Sequence, residues 1–78
     1  MYKEITNTKD DPTLEQAQKF VGGYVELVRV EGGVLLIDEE GRFKPNYFPN
    51  PKASSLYGDT ILGPAIFISN KIKSEWIA

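Results

Sequence analysis

The 78-residue chain contains no cysteine and no histidine. The first absence excludes disulfides, and the two together exclude any ordinary zinc, iron–sulfur or haem site. Without histidine there is no Ser–His–Asp or Cys–His nucleophile. No apolar run approaches the roughly 20 residues of a membrane span, and the N-terminal stretch MYKEITNTKDD has no apolar signal-peptide core. The chain therefore reads as soluble and cytoplasmic. An excess of one charge is also missing: nine basic and eleven acidic residues leave a formal charge of −2. That balance argues against nucleic acid as a partner, which requires a concentrated basic face, and it is too weak and dispersed for an acidic DNA mimic. There is no internal repeat and no low-complexity tract.

Apolar residues make up 41% of the chain, enough for a folded domain. The length fits a single domain, residues 1–78. A chain this short buries a small core, with a stability expected to be about 3–5 kcal/mol. With disulfides and metals excluded, oligomerisation is the remaining support. A homo-oligomer, a dimer, is the expectation, because the apolar runs 34–37 and 60–68 want cover on both faces.

Tyr2 to Thr6 alternates loosely and reads as a first strand, ended by Asp10, Asp11 and Pro12. Thr13 and Gln16 fit a capping box. Leu14, Ala17, Phe20 and Val21 follow at helical spacing, and Gly22 suits a helix C-terminus, so a helix is predicted over 14–21. YVELVRV (24–30) is β-branched and aromatic, Glu31-Gly32-Gly33 supplies a turn, and VLLID (34–38) returns as its partner. After Glu39-Glu40-Gly41 a third strand is predicted over 42–48, beginning with RFK and broken or pushed to an edge by Pro45. Asn50 is a favoured N-cap and Pro51 a favoured first helical residue, so PKASSLY (51–57) is predicted as a helix that stops at Gly58. TILGPAIFIS (60–69) has no polar face and reads as a strand buried on both sides, divided by Gly63-Pro64. In the tail, Ile72 and Trp76 fit one helical face or the inward side of a last strand equally well. The fold class is α+β: a small, mostly antiparallel sheet with a β-meander (24–30, 34–38, 42–48), the strand 60–69 and two short helices.

The order VGGYVELV, LLIDEEGRFK, PNPKASSLYG, ILGPAIF resembles a family of small proteins of bacterial phages and mobile elements catalogued as domain of unknown function 3846. The positions that carry the resemblance are Gly23, Glu26, Asp38, Glu39, Gly41, Asn50, Ala53, Ser54 and Gly63, within residues 20–68. The resemblance implies a phage or mobile-element origin and the host cytoplasm as the place of action. It implies no activity.

Few residues offer chemistry. Asp38-Glu39-Glu40 is a carboxylate cluster that reads as a solvated turn, with Asp38 the exception because it flanks the apolar VLLI run; no metal site is expected. Lys52 and Ser54 are two apart, on different faces of a helix, and make a poor Ser–Lys dyad. A better reading is anion binding at the start of the second helix, where free amides and Asn50, Lys52, Ser54 and Ser55, joined by Arg42 and Lys44, face a phosphate or carboxylate; plain capping by Asn50 is the simpler account. The pairs Gly22-Gly23 and Gly32-Gly33 form no phosphate-loop motif and read as turns. Most of the nine aromatic residues are needed for the core, whereas Tyr47 and Phe48, between two prolines, are candidates for a base-stacking or partner-binding loop. No catalytic constellation and no cofactor site emerge. The function expected is that of a non-enzymatic module regulating a host protein, with counter-defence as one role. The alternative is an oligomer that holds a small anion or nucleotide at 50–55. An enzyme working with carboxylates alone ranks last.

Overall fold

The computed structural model describes residues 1–77. Four strands form one mixed sheet: β1 (Tyr2–Ile5), β2 (Val25–Val30), β3 (Gly33–Asp38) and β4 (Ala65–Ser69). Their order is β1-β4-β3-β2, with β1 parallel to β4 and the other pairs antiparallel. Two helices complete the domain, α1 (Leu14–Val21) and α2 (Pro51–Tyr57). The α+β class, the mostly antiparallel sheet and both helices match the sequence expectation.

The helices form where their caps dictate. Thr13 and Gln16 make the reciprocal capping box, and α1 ends on left-handed Gly22. Asn50 caps α2 through Ala53, Pro51 occupies its first turn and left-handed Gly58 ends it. Each helix covers one face of the sheet. Alternation along β3 and β4 sends Val34, Leu36, Ile66 and Ile68 towards α1, where Ile5 and Ala17 meet them. Leu35, Ala65 and Phe67 face the other way and pack with Ala53 of α2 and Ile61. β4 is buried at every position, as expected of a strand covered on both sides. Each fully buried Leu or Ile contributes about 1.5–3 kcal/mol, so these two layers carry most of the stability. The cover for the apolar strands thus comes from the chain's own two helices.

Four expectations are corrected. The segment 42–48 is not a strand. Gly41–Phe43 forms a 3-10 turn and the rest is loop, with no ladder to any strand; an isolated bridge, Pro49–Leu62, follows it. The edge of β3 that a third meander strand would use is occupied by β4, and Pro45 lacks the N–H for a ladder. The strand predicted over 60–69 shortens to Ala65–Ser69, because Gly63 is left-handed (φ +92°) and Pro64 follows it. Gly33 belongs to β3 rather than to the turn; a Cβ there would collide with the Ile68 carbonyl oxygen, so the close approach of β4 demands glycine. Tyr24, Phe43 and Tyr57, counted towards the core, are exposed instead, as is Leu14.

Residues 70–77 form neither helix nor strand. Ile72, Trp76 and Ile77 pack onto the α1 side of the core from a run of turns. Trp76 Nε1 donates to the Pro12 carbonyl (2.9 Å) and Ser74 Oγ to Asp11 Oδ1 (2.8 Å). No helix among the described residues is long and apolar enough to cross a membrane.

Candidate functional site

The chain between β3 and α2 is irregular, yet its polar groups are closely accounted for. β3 ends on Asp38, whose side chain is 1% exposed. A buried carboxylate requires donors to offset its lost hydration, and three converge on it. The Glu40 amide donates to Oδ1 (2.9 Å), and Lys44 Nζ and Tyr47 Oη (3.1 Å) donate to Oδ2. Lys44 Nζ also reaches the Gly22 carbonyl (2.8 Å) and Tyr47 Oη the Val21 carbonyl (2.7 Å), the open end of α1. One carboxylate therefore ties together the end of β3, the loop and the C-terminus of α1. The Tyr47 ring lies against Gly22, Gly41 and Gly63.

A second knot closes the other end of the loop. Asn50 is buried. Its Oδ1 accepts from the Ala53 amide (3.2 Å), and its Nδ2 donates to the carbonyls of Met1 and Gly63 (both 2.9 Å). The Asn50 amide donates to Ile61 (2.8 Å) and the Gly63 amide to Phe48 (2.9 Å). Between the knots Phe48 stands 77% exposed, beside a concavity of about 480 Å³ lined by Met1, Tyr2, Pro49, Lys52 and Pro64. Phe43, at the other end of the segment, is also exposed.

The electrostatics of the first knot are those of a fixed ion pair. Burial pushes the Asp38 carboxyl up, but the hydrogen bonds from Lys44, the Glu40 amide and Tyr47, with the Lys44 charge, outweigh it and leave the pKa below the ordinary carboxylate value. The hydrogen bond to Asp38 holds the Lys44 ammonium above its usual range. Burial, then the bond to Asp38, raises the Tyr47 phenol. A carboxylate whose folded pKa is lowered adds stability above its unfolded pKa of about 3.9, and that stability disappears as pH falls through the folded value. The raised Lys44 and Tyr47 values add stability below about pH 10 that disappears as pH climbs through their folded pKa values. At neutral pH Asp38 stays charged, Lys44 stays protonated and neither is poised as an acid, base or nucleophile.

The residues singled out in the sequence divide between these features. Lys44 belongs to the Asp38 knot. The polar groups of Asn50 are engaged by protein atoms, as is Ser54 Oγ, which accepts from the Ile61 amide (2.8 Å). Lys52 is exposed, with its ammonium 5.7 Å from the Tyr2 ring centre, and Ser55 is exposed on α2. Arg42 is exposed and lines a different concavity, with Glu26, Asp38, Glu39, Tyr57 and Asp59. The six candidates for an anion do not gather in one place. Of the pair Tyr47–Phe48, Tyr47 turns inward and only Phe48 faces solvent. Glu39 and Glu40 are exposed while Asp38 is buried, and no three carboxylates converge on a metal position among the described residues. The Asp38–Lys44–Tyr47 network escaped sequence reasoning; its one legible signal was an acid flanking an apolar run.

The fold and this site define a small α+β domain with an irregular loop clamped at both ends. The chain belongs to the family described as domain of unknown function (DUF3846), whose model matches residues 2–77. No curated protein and no solved structure matches the chain. Among the positions that carried the resemblance, Gly23, Asp38, Gly41 and Gly63 surround the first knot or its tyrosine, and Asn50, Ala53 and Ser54 build the second.

Proposed function

We propose that the chain is a non-enzymatic binding module that docks on a protein partner through Phe48. The supporting observation is that Phe48 is 77% exposed on a loop whose neighbours Tyr47 and Asn50 are locked inside. A large apolar side chain held out by a rigid backbone loses little freedom on binding, and aromatic anchors of this kind dominate interface energies. Met1, Pro49 and Pro64 supply the surrounding apolar rim. A phage or mobile-element origin, which the sequence resemblance implies, makes a cytoplasmic host protein the partner in this reading, and interference with host defence one role. This reading is preferred to an anion or nucleotide held at 50–55, because the side-chain groups of Asn50 and Ser54 are already engaged by the protein.

The test compares wild type with Phe48→Ala in a quantitative binding assay against the partner that co-purifies stoichiometrically from the host. Loss of a central aromatic anchor is expected to weaken binding by about 2 kcal/mol or more, upwards of roughly thirtyfold. The melting temperature should stay at the wild-type value, because an exposed side chain carries little folding energy. Undiminished affinity in Phe48→Ala would remove the loop as the anchor.

A further inference from the structure

The sheet has two edges, and they are not alike. β1 has four residues and pairs in parallel with β4. β2 has six, VELVRV, contains no proline, and among the described residues no further strand lies beside it. The phase of the β2–β3 ladder is fixed by the Glu39 amide donating to the Tyr24 carbonyl (2.8 Å). Hydrogen-bonded pairs alternate along an antiparallel ladder. Glu26, Val28 and Val30, opposite Ile37, Leu35 and Gly33, therefore turn their backbone groups towards β3. The N–H and C=O groups of Val25, Leu27 and Arg29 point outward along the free edge. At its centre Leu27 is exposed, beyond the cover that α1 gives.

We infer that this edge pairs with β2 of a second copy, antiparallel and centred on Leu27, to make one eight-stranded sheet. The sequence selects both the occupant and the register. A two-fold axis normal to the sheet keeps like faces together and brings outward-bonding residues opposite one another. Centring on Leu27 places Leu27 against Leu27, Val25 against Arg29 and Tyr24 against Val30, so every outward backbone group of β2 finds a partner. Centring on Glu26 or on Arg29 sets like charges directly opposite, which is destabilising. Centring on Val28 pushes Val25 against Glu31 in the turn and leaves the strand incompletely paired. An unblocked edge strand is a template for pairing, and here its charges permit one full-length self-pairing. The interface does not use Phe48, so it stands or falls separately from the proposed partner site.

The absence of cysteine makes the test clean. In a hydrogen-bonded antiparallel pair the Cα atoms lie about 5.5 Å apart, within disulfide range. Under mild oxidation of the full chain, Leu27→Cys is expected to form a disulfide-linked dimer. Arg29→Cys, whose copies would sit four positions apart along the strand and so roughly 13 Å from each other, is not. Light scattering should give a dimer for wild type. For Leu27→Lys it should give a monomer with an unchanged circular dichroism spectrum, the dimer dissociation constant rising at least about tenfold. A wild type that is monomeric at every concentration, a dimer undisturbed by Leu27→Lys, or equal cross-linking of the two cysteine variants would overturn the inference.

Discussion

Asp38→Ala is expected to remove most of the stability of the domain. The carboxylate is 1% exposed and accepts from Lys44, Tyr47 and the Glu40 amide. Truncation strips three donors of one acceptor at once. Lys44 retains the Gly22 carbonyl and Tyr47 the Val21 carbonyl, but the Glu40 amide loses its side-chain partner. Breaking such a buried cluster costs about 2–4 kcal/mol, against a total of about 3–5 kcal/mol for a domain of this size. At 4–8 °C per kcal/mol the melting temperature should fall by roughly 8–32 °C. Asp38→Asn preserves the shape and one acceptor, so its loss is smaller. It also removes the titrating group, and the decline in stability below about pH 4 should flatten in this variant. Urea unfolding of the three proteins across the acid range measures both effects. An Asp38→Ala protein within about 0.5 kcal/mol of wild type would mean that the knot holds nothing together.

Gly63→Ala should be comparably damaging, for a different reason. Gly63 has φ +92°, a conformation that costs an L-residue about 1–2 kcal/mol. A Cβ there meets Cδ2 of the Tyr47 ring. That ring cannot swing away without breaking the hydroxyl bonds to Val21 and Asp38, so overpacking adds about 1–3 kcal/mol. The two parts separate in a double-mutant cycle with Tyr47→Ala. Once the ring is gone the alanine costs only its backbone strain, and the cycle should show a coupling of about 1–2 kcal/mol. Additive effects would show that Gly63 is needed for its backbone alone.

The helices were legible because their signals are local. Thr13 with Gln16, Asn50 with Pro51, and Gly22 and Gly58 are short-range chemistry that the tertiary structure had no reason to override. The sheet was legible in its strands but not in its order. RFK has strand character, but the place beside β3 went to β4, a contact between segments some thirty residues apart that no local pattern encodes. The apolar runs 34–37 and 60–68 do not by themselves call for the expected dimer, because α1 and α2 cover both faces; the free edge of β2 is the surface that motivates self-association. The polar network was the least legible part. Asp38, Lys44 and Tyr47 are separated by six and nine residues of irregular chain, a spacing that matches no helix or strand period. For the same reason Tyr47 and Phe48 could be marked as a pair but not told apart. Which one turns inward depends on where Asp38 and the end of α1 lie.

The Asp38–Lys44–Tyr47 knot holds the 43–50 loop in one conformation. Native-state hydrogen exchange on wild type and Tyr47→Phe tests it most directly, since the substitution deletes only the hydroxyl that links the loop to Val21 and Asp38. The reporters are the Asn50 amide, bonded to Ile61, and the Gly63 amide, bonded to Phe48. A hydroxyl worth about 1 kcal/mol or slightly more should speed exchange at these two amides by several-fold to about tenfold, while the β3–β4 ladder exchanges at its wild-type rate. Unchanged exchange at Asn50 and Gly63, or acceleration shared equally by the core strands, would show that the knot does not hold the loop.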